Sequence, residues 1–144
     1  MFSSILVICT GNVCRSPLGE RLLRQRLPGM RIDSAGTHSL AGKPADIRAQ
    51  RVAAANGLSL DGHVARTLTR QMFNHYDLIL AMAPEHIRHI TRMAPEVRGK
   101  TLLFGRWLGS QEVPDPFQFS HHAFEHVYSL LGEASHEWAK RLSK

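Results

Sequence analysis

In the run Cys9-Thr10-Gly11-Asn12-Val13-Cys14-Arg15-Ser16 a cysteine stands six positions before an arginine, and a hydroxyl residue follows at once. That spacing can build a loop that holds an oxyanion and carries a nucleophile. Gly11 permits a tight turn that brings backbone N–H groups toward an anion. A helix beginning just after the loop adds N–H donors and the positive end of its dipole. Arg15 offers a planar, permanently charged fork that can grip two phosphate oxygens. The thiolate is the reactive form of cysteine, and a positive field around Cys9 favours it. Thr10, Gly11, Asn12, Val13, Cys14 and Ser16 then form the anion cradle. A cysteine at the end of a buried strand is commonly a small core residue. A strand before it, Arg-Ser behind it and a helix beyond set this one apart.

A thiolate that attacks phosphorus needs an acid for the leaving oxygen. Asp115, between Pro114 and Pro116, reads two ways. It is either an acid on a stiffened loop or only part of a turn. The nine histidines are scattered. His86 and His89 can share a helix face but have no carboxylate or cysteine at a ligand spacing. They read as solvated side chains, and no metal site is expected.

The elements that must position these groups follow from periodicity. Ser4 to Cys9 is a short apolar strand of buried type. Ser16-Pro17 opens a helix whose apolar face is Leu18, Leu22, Leu23 and Leu27, with Glu20, Arg21, Arg24 and Arg26 elsewhere. Pro28-Gly29 ends it. Met30 to Ser34 is a second strand, and 37–44 is a loop. Ala45 to Asn56 is a helix, and Arg70 to Asn74 a short one. Asp77 to Met82 is a third strand, Pro84 opens a helix stopped at Pro95, and Thr101 to Phe104 is a fourth strand. A long connection, 106–120, carries Asp115. A last helix, about Ser120 to Leu142, presents Phe124, Val127, Leu131, Ala134 and Trp138 at helical spacing. Strands alternating with helices predict an α/β fold with a four-stranded parallel sheet covered on both faces. Ligands of such sheets bind beyond the carboxyl ends of the strands, where the Cys9 loop falls.

A chain of 144 residues suits one domain, 1–144, with a real core. The net charge of +6 is spread along the chain. It suits acidic partners, but no Lys/Arg block with interleaved aromatics marks a nucleic-acid surface. No apolar run reaches the ~20 residues that would insert in a membrane. Met1 to Ser4 has no basic leader character, so a cytoplasmic protein is expected. Cys9 and Cys14 are the two cysteines, which excludes a disulfide framework.

Cys9 to Pro17, reading CTGNVCRSP, resembles the signature of the low-molecular-weight protein tyrosine phosphatases. Further segments match that family in order: Asp33-Ser34-Ala35-Gly36, Gly62 to Arg66, Asp77 to Met82, and Asp115-Pro116-Phe117. The opening strand, Met93-Ala94-Pro95-Glu96 and Leu103-Phe104-Gly105 are similar to the bacterial branch that accompanies capsule and exopolysaccharide export. The resemblance implies a flavodoxin-like strand order and hydrolysis of phosphotyrosine without metal or cofactor. It makes Cys9 the nucleophile of a phosphocysteine intermediate, Arg15 the phosphate ligand and Asp115 the acid. Asn12 and Ser16 would hold the loop, with Ser16 bonded to the thiolate, and Ser34 and His63 would buttress it. Cys14 would be able to form a reversible disulfide with Cys9. Leu40 and Phe117 would flank the substrate ring. Phe117 replaces the family's usual tyrosine; the stacking surface survives and a phosphorylation site is lost. The implied partner is an autophosphorylated bacterial tyrosine kinase, met by a monomer. Three other readings stay open: an arsenate reductase, which wants cysteines beyond Cys14; a non-catalytic phosphotyrosine-binding module; and a small-molecule acid phosphatase.

Overall fold

A computed structural model describes residues 2–143. Met1 and Lys144, the ends of the expected domain, lie outside the described residues. Four parallel strands, β1 (Ser4–Cys9), β2 (Arg31–Gly36), β3 (Leu78–Ala81) and β4 (Thr101–Leu103), pair in the order β2-β1-β3-β4. Four helices, α1 (Arg15–Arg26), α2 (Ile47–Ala55), α3 (Pro84–Met93) and α4 (His121–Leu142), cover the sheet.

β1 is buried at every position because it has a strand on each side and helices on both faces. Its alternation divides the core in two. Ile5, Val7 and Cys9 join the leucines of α1, Ala49 and Val52 of α2, and Phe124, Val127 and Leu131 of α4. Leu6 and Ile8 face the other way, toward Phe73, Ile90 and Val97. The apolar faces expected for α1 and α4 are the buried ones, and the Trp138 indole N–H donates to the Phe104 carbonyl at 2.8 Å.

Boundaries differ where tertiary pairing decides them. β2 runs on to Gly36 because it stays in register with β1 as far as Cys9. α2 starts at Ile47, since Asp46 accepts the Arg48 N–H and caps the helix. Pro95 ends α3 as expected, but a 3₁₀ turn over Pro95–Lys100, which periodicity does not signal, follows it. Glu20 departs more sharply: periodicity sets it off the apolar face, yet it is 4% exposed.

The strand order places β1 beside both β2 and β3. After β1 the chain turns onto one face as α1, and after β3 it turns onto the other as α3. The loops therefore part over the carboxyl ends of β1 and β3 and leave a crevice there.

Candidate active site

Cys9 ends β1 and is 2% exposed. The segment 10–14 folds over its sulfur and runs straight into α1. The positive φ in this loop belongs to Asn12 (60°) and not to Gly11, where the tight turn was expected. Asparagine tolerates that region better than most residues, and here its polar groups are all bonded. Its N–H donates to Cys9 Sγ at 3.3 Å, and its side-chain amide donates to Ser16 Oγ (2.8 Å) and Ser34 Oγ (3.0 Å). Its Oδ1 accepts the Arg66 N–H at 3.0 Å, and its carbonyl accepts from His63 Nε2 at 2.7 Å. That web explains how a left-handed asparagine can be 0% exposed. Since Ser16 Oγ accepts from Asn12, its own proton is left for Cys9 Sγ, 2.9 Å away.

The web continues outward. Ser34 Oγ donates to Glu20 Oε1 at 2.7 Å, and Arg21 and Arg24 pair with the other carboxylate oxygen. Arg66 also donates to the Ser34 carbonyl at 2.9 Å. Burial pushes the His63 imidazole below its ordinary value, and its bond to Asn12 only partly offsets this. Beside this loop the glycine that sterics require is Gly36, where a Cβ would run into the Thr10 carbonyl oxygen. A Cβ at Gly11 would meet only ordinary contacts.

Arg15 is 4% exposed. One Nη donates to the Val113 carbonyl at 2.9 Å; the other lies 3.3 Å from Thr10 Oγ1 and 3.6 Å from Asp115 Oδ2. The first segment of the chain and a loop a hundred residues later thus meet on one guanidinium. Asp115 is half exposed, and its Oδ1 accepts the Phe117 N–H at 3.0 Å. Arg48 holds the far side of that loop by donating to the carbonyls of Phe117 (2.7 Å) and Phe119 (2.9 Å) while paired with Asp46. The Asp46 N–H in turn donates to the Val13 carbonyl at 2.9 Å, which ties α2 to the Cys9 loop.

A pocket of about 180 Å³ opens over Cys9, with Thr10, Gly11 and Arg15 around its floor. Leu40 and His38 line one side, Phe117 and Asp115 another, and Val13 and Cys14 complete it. The Leu40 wall is fixed to the loop by backbone bonds: Thr37, His38 and Leu40 N–H groups donate to the carbonyls of Cys9, Thr10 and Gly11, each at 3.0 Å. An anion seated on Arg15 and the loop N–H groups would lie against the Cys9 sulfur, with a carboxyl group at its outer side and apolar surfaces flanking an attached ring.

The family model for low molecular weight phosphotyrosine protein phosphatase matches residues 4–144. The chain belongs to this family. Among its relatives, the low molecular weight protein-tyrosine-phosphatase Etp of Escherichia coli K12 is 62% identical, over 99% of this chain and 97% of that one. The tyrosine phosphatase Wzb of Escherichia coli K30, solved in complex with sulphate, is 55% identical with a TM-score of 0.98 and covers 99% of this chain and 100% of its own. Wzb of Vibrio vulnificus, solved with benzylphosphonate, is 46% identical with a TM-score of 0.96, over 99% and 100% of the two chains.

For this tyrosine phosphatase the sequence reading missed four contributors: Glu20, Arg48, Arg66 and His86. Glu20 was legible in part, since it lies one helical turn after Ser16 and so shares its face. The histidine reading needs correction at His86, which is 2% exposed and not solvated. Its ring meets Thr10 because α3 starts on the far rim of the crevice. Cys14 is buried, and burial, with the nearby charges of Asp46 and Cys9, pushes its thiol above the ordinary range.

Proposed function

We propose that the phosphatase hydrolyses phosphotyrosine on protein in two displacements at Cys9. The thiolate attacks phosphorus in line, the S–P bond forms, and the P–O bond to the tyrosyl oxygen breaks. Asp115 gives its proton to that oxygen. Water then attacks the phosphocysteine, Asp115 takes a proton from it, and the S–P bond breaks to release inorganic phosphate. Arg15 and the loop N–H groups carry the charge on the phosphoryl oxygens throughout. The observation that bears most weight is the convergence of Cys9, Arg15 and Asp115 on one pocket, with Arg15 and Asp115 3.6 Å apart. Leu40 and Phe117, both partly exposed at its mouth, suit an aromatic ester better than a short aliphatic one.

The partner in this reading is an autophosphorylated tyrosine kinase of the exopolysaccharide export machinery, met in the cytoplasm by a monomeric phosphatase. The motifs shared with the bacterial branch and the +6 charge support it, since a multiply phosphorylated partner is acidic. The test is release of phosphate from that kinase, and from phosphotyrosine, phosphoserine and sugar phosphates, by native and Cys9→Ser protein. Turnover of the kinase and of phosphotyrosine by the native protein alone is the expected result. Turnover unchanged by Cys9→Ser removes the mechanism, and a preference for sugar phosphates removes the substrate class. Activity should withstand a chelator.

A further inference from the structure

Thr10 Oγ1 receives two hydrogen bonds from opposite rims of the crevice: one from Arg15 Nη2 at 3.3 Å and one from His86 Nε2 at 2.9 Å. The direction of the second is fixed at the other side of the imidazole. His86 Nδ1 lies 3.1 Å from the Ala83 N–H and accepts from it. The proton of the neutral ring must then sit on Nε2, which leaves that nitrogen only the donor role toward Thr10. With both approaches to its oxygen taken by donors, the Thr10 hydroxyl has its own proton free to point elsewhere, and Thr10 lines the pocket.

We propose that His86 is a positioning residue for the phosphate site: by donating to Thr10 Oγ1 it fixes the hydroxyl that seats Arg15 and aims the Thr10 O–H proton at a bound phosphoryl oxygen. It acts through Thr10 and has no contact of its own with the reacting atoms. The surroundings keep the ring in the form this needs. Arg15, Asp115, His89 and His38 are the charged or titratable groups around it, and burial, followed by the Arg15 charge, lowers its pKa to about 4. A protonated ring would present a second donor to the Ala83 N–H and lose the fixed orientation. His86 also accepts one of the unpaired N–H groups at the start of α3, so it has a structural task alongside the proposed one.

Two substitutions separate those tasks. Asparagine places an amide oxygen near Nδ1, keeping the Ala83 bond while losing the donor to Thr10. Glutamine places an amide N–H near Nε2, keeping the donor and losing the helix bond. The readouts are inhibition by inorganic phosphate, kcat and KM on an aryl phosphate, and thermal unfolding. Thr10→Val serves as a partner variant. His86→Asn is expected to weaken phosphate inhibition and kcat/KM on the order of three- to tenfold, the worth of one oriented hydrogen bond, at near-native stability. His86→Gln is expected to recover most of that loss even where it unfolds earlier. His86→Asn with Thr10→Val is expected to be no worse than Thr10→Val alone. Losses that follow stability in both His86 variants, or that add to the Thr10→Val loss, or no loss in His86→Asn, overturn the proposal. It rests on Arg15 as the phosphate ligand, so Arg15→Lys is measured beside it. Phosphate inhibition unchanged by Arg15→Lys defeats that reading, whereas a fall with Arg15→Lys and none with His86→Asn defeats this one alone.

Discussion

Asp115 and Asn12 illustrate two kinds of dependence at the scale of single residues. Asp115 is half exposed and lies 3.6 Å from Arg15. Replacing it with asparagine removes the proposed proton donor and leaves Arg15 free for phosphate. Asp115→Asn is therefore expected to lower kcat by about 10²- to 10⁴-fold with KM for an aryl phosphate nearly unchanged. Equal losses in both would make the Pro-Asp-Pro segment a structural turn. Asn12 carries bonds to Ser16, Ser34, His63 and Arg66 at a φ of 60°. Asn12→Ala is expected to cost roughly 3 kcal/mol or more, from the left-handed backbone and the stranded partners together. Asn12→Gly, which accepts that φ, should cost less; urea unfolding of the pair checks the order. Cys9 and Arg15 stand out in the sequence because strand and spacing are local signals; the prolines around Asp115 leave it open between acid and turn, and only the family resemblance singles it out. His86 could not, and Glu20 only through its spacing from Ser16, because periodicity assigns a charged or polar side chain on a surface helix to solvent. Only the packing of one loop over another shows which of them turns inward.

Among elements, the loop over 113–117 is held from two directions, by Arg15 at Val113 and by Arg48 at Phe117 and Phe119. Arg48 also lies over the Phe124 ring at 4.5 Å. It thereby joins α2, α4 and the Asp115 loop at one point. Arg48→Ala is expected to lower kcat roughly three- to tenfold and to expose 106–119 to proteolysis. Affinity for inorganic phosphate, held by the Cys9 loop, should persist; if it falls as far as kcat, Arg48 supports the whole site and not one loop. Gly36→Ala is expected to fail differently. The Thr10 carbonyl that the new methyl would run into is backbone, so β2 and the phosphate loop must move apart, and phosphate affinity and stability should drop together. The element order and the parallel sheet were legible because buried strands alternate with amphipathic helices. The 3₁₀ turn over Pro95–Lys100 and the register that carries β2 to Gly36 were not, since both depend on neighbours distant in sequence.

At the scale of the whole molecule, two buried histidines give stability a pH dependence. Burial lowers the pKa of His86, to about 4, and that of His63 as well, against about 6.5 in an unfolded chain. Between those values the unfolded state binds more protons, so stability is fully present above about pH 6.5 and falls as the pH drops toward 4. Each histidine contributes a slope of at most about 1.4 kcal/mol per pH unit. Urea midpoints at pH 7, 6 and 5 should decline in step, and His86→Gln should flatten the decline. A midpoint independent of pH in this range would show that neither ring is held neutral. The layout of the site along the chain carries a last consequence, for synthesis. Cys9 and Arg15 leave the ribosome before Asp115 and the α4 helix that packs on α1. β1 also waits for β3 before its second edge is paired. On the proposed mechanism a nascent chain therefore bears its nucleophile about a hundred residues before its acid, and the order of translation itself delays the enzyme's switching on.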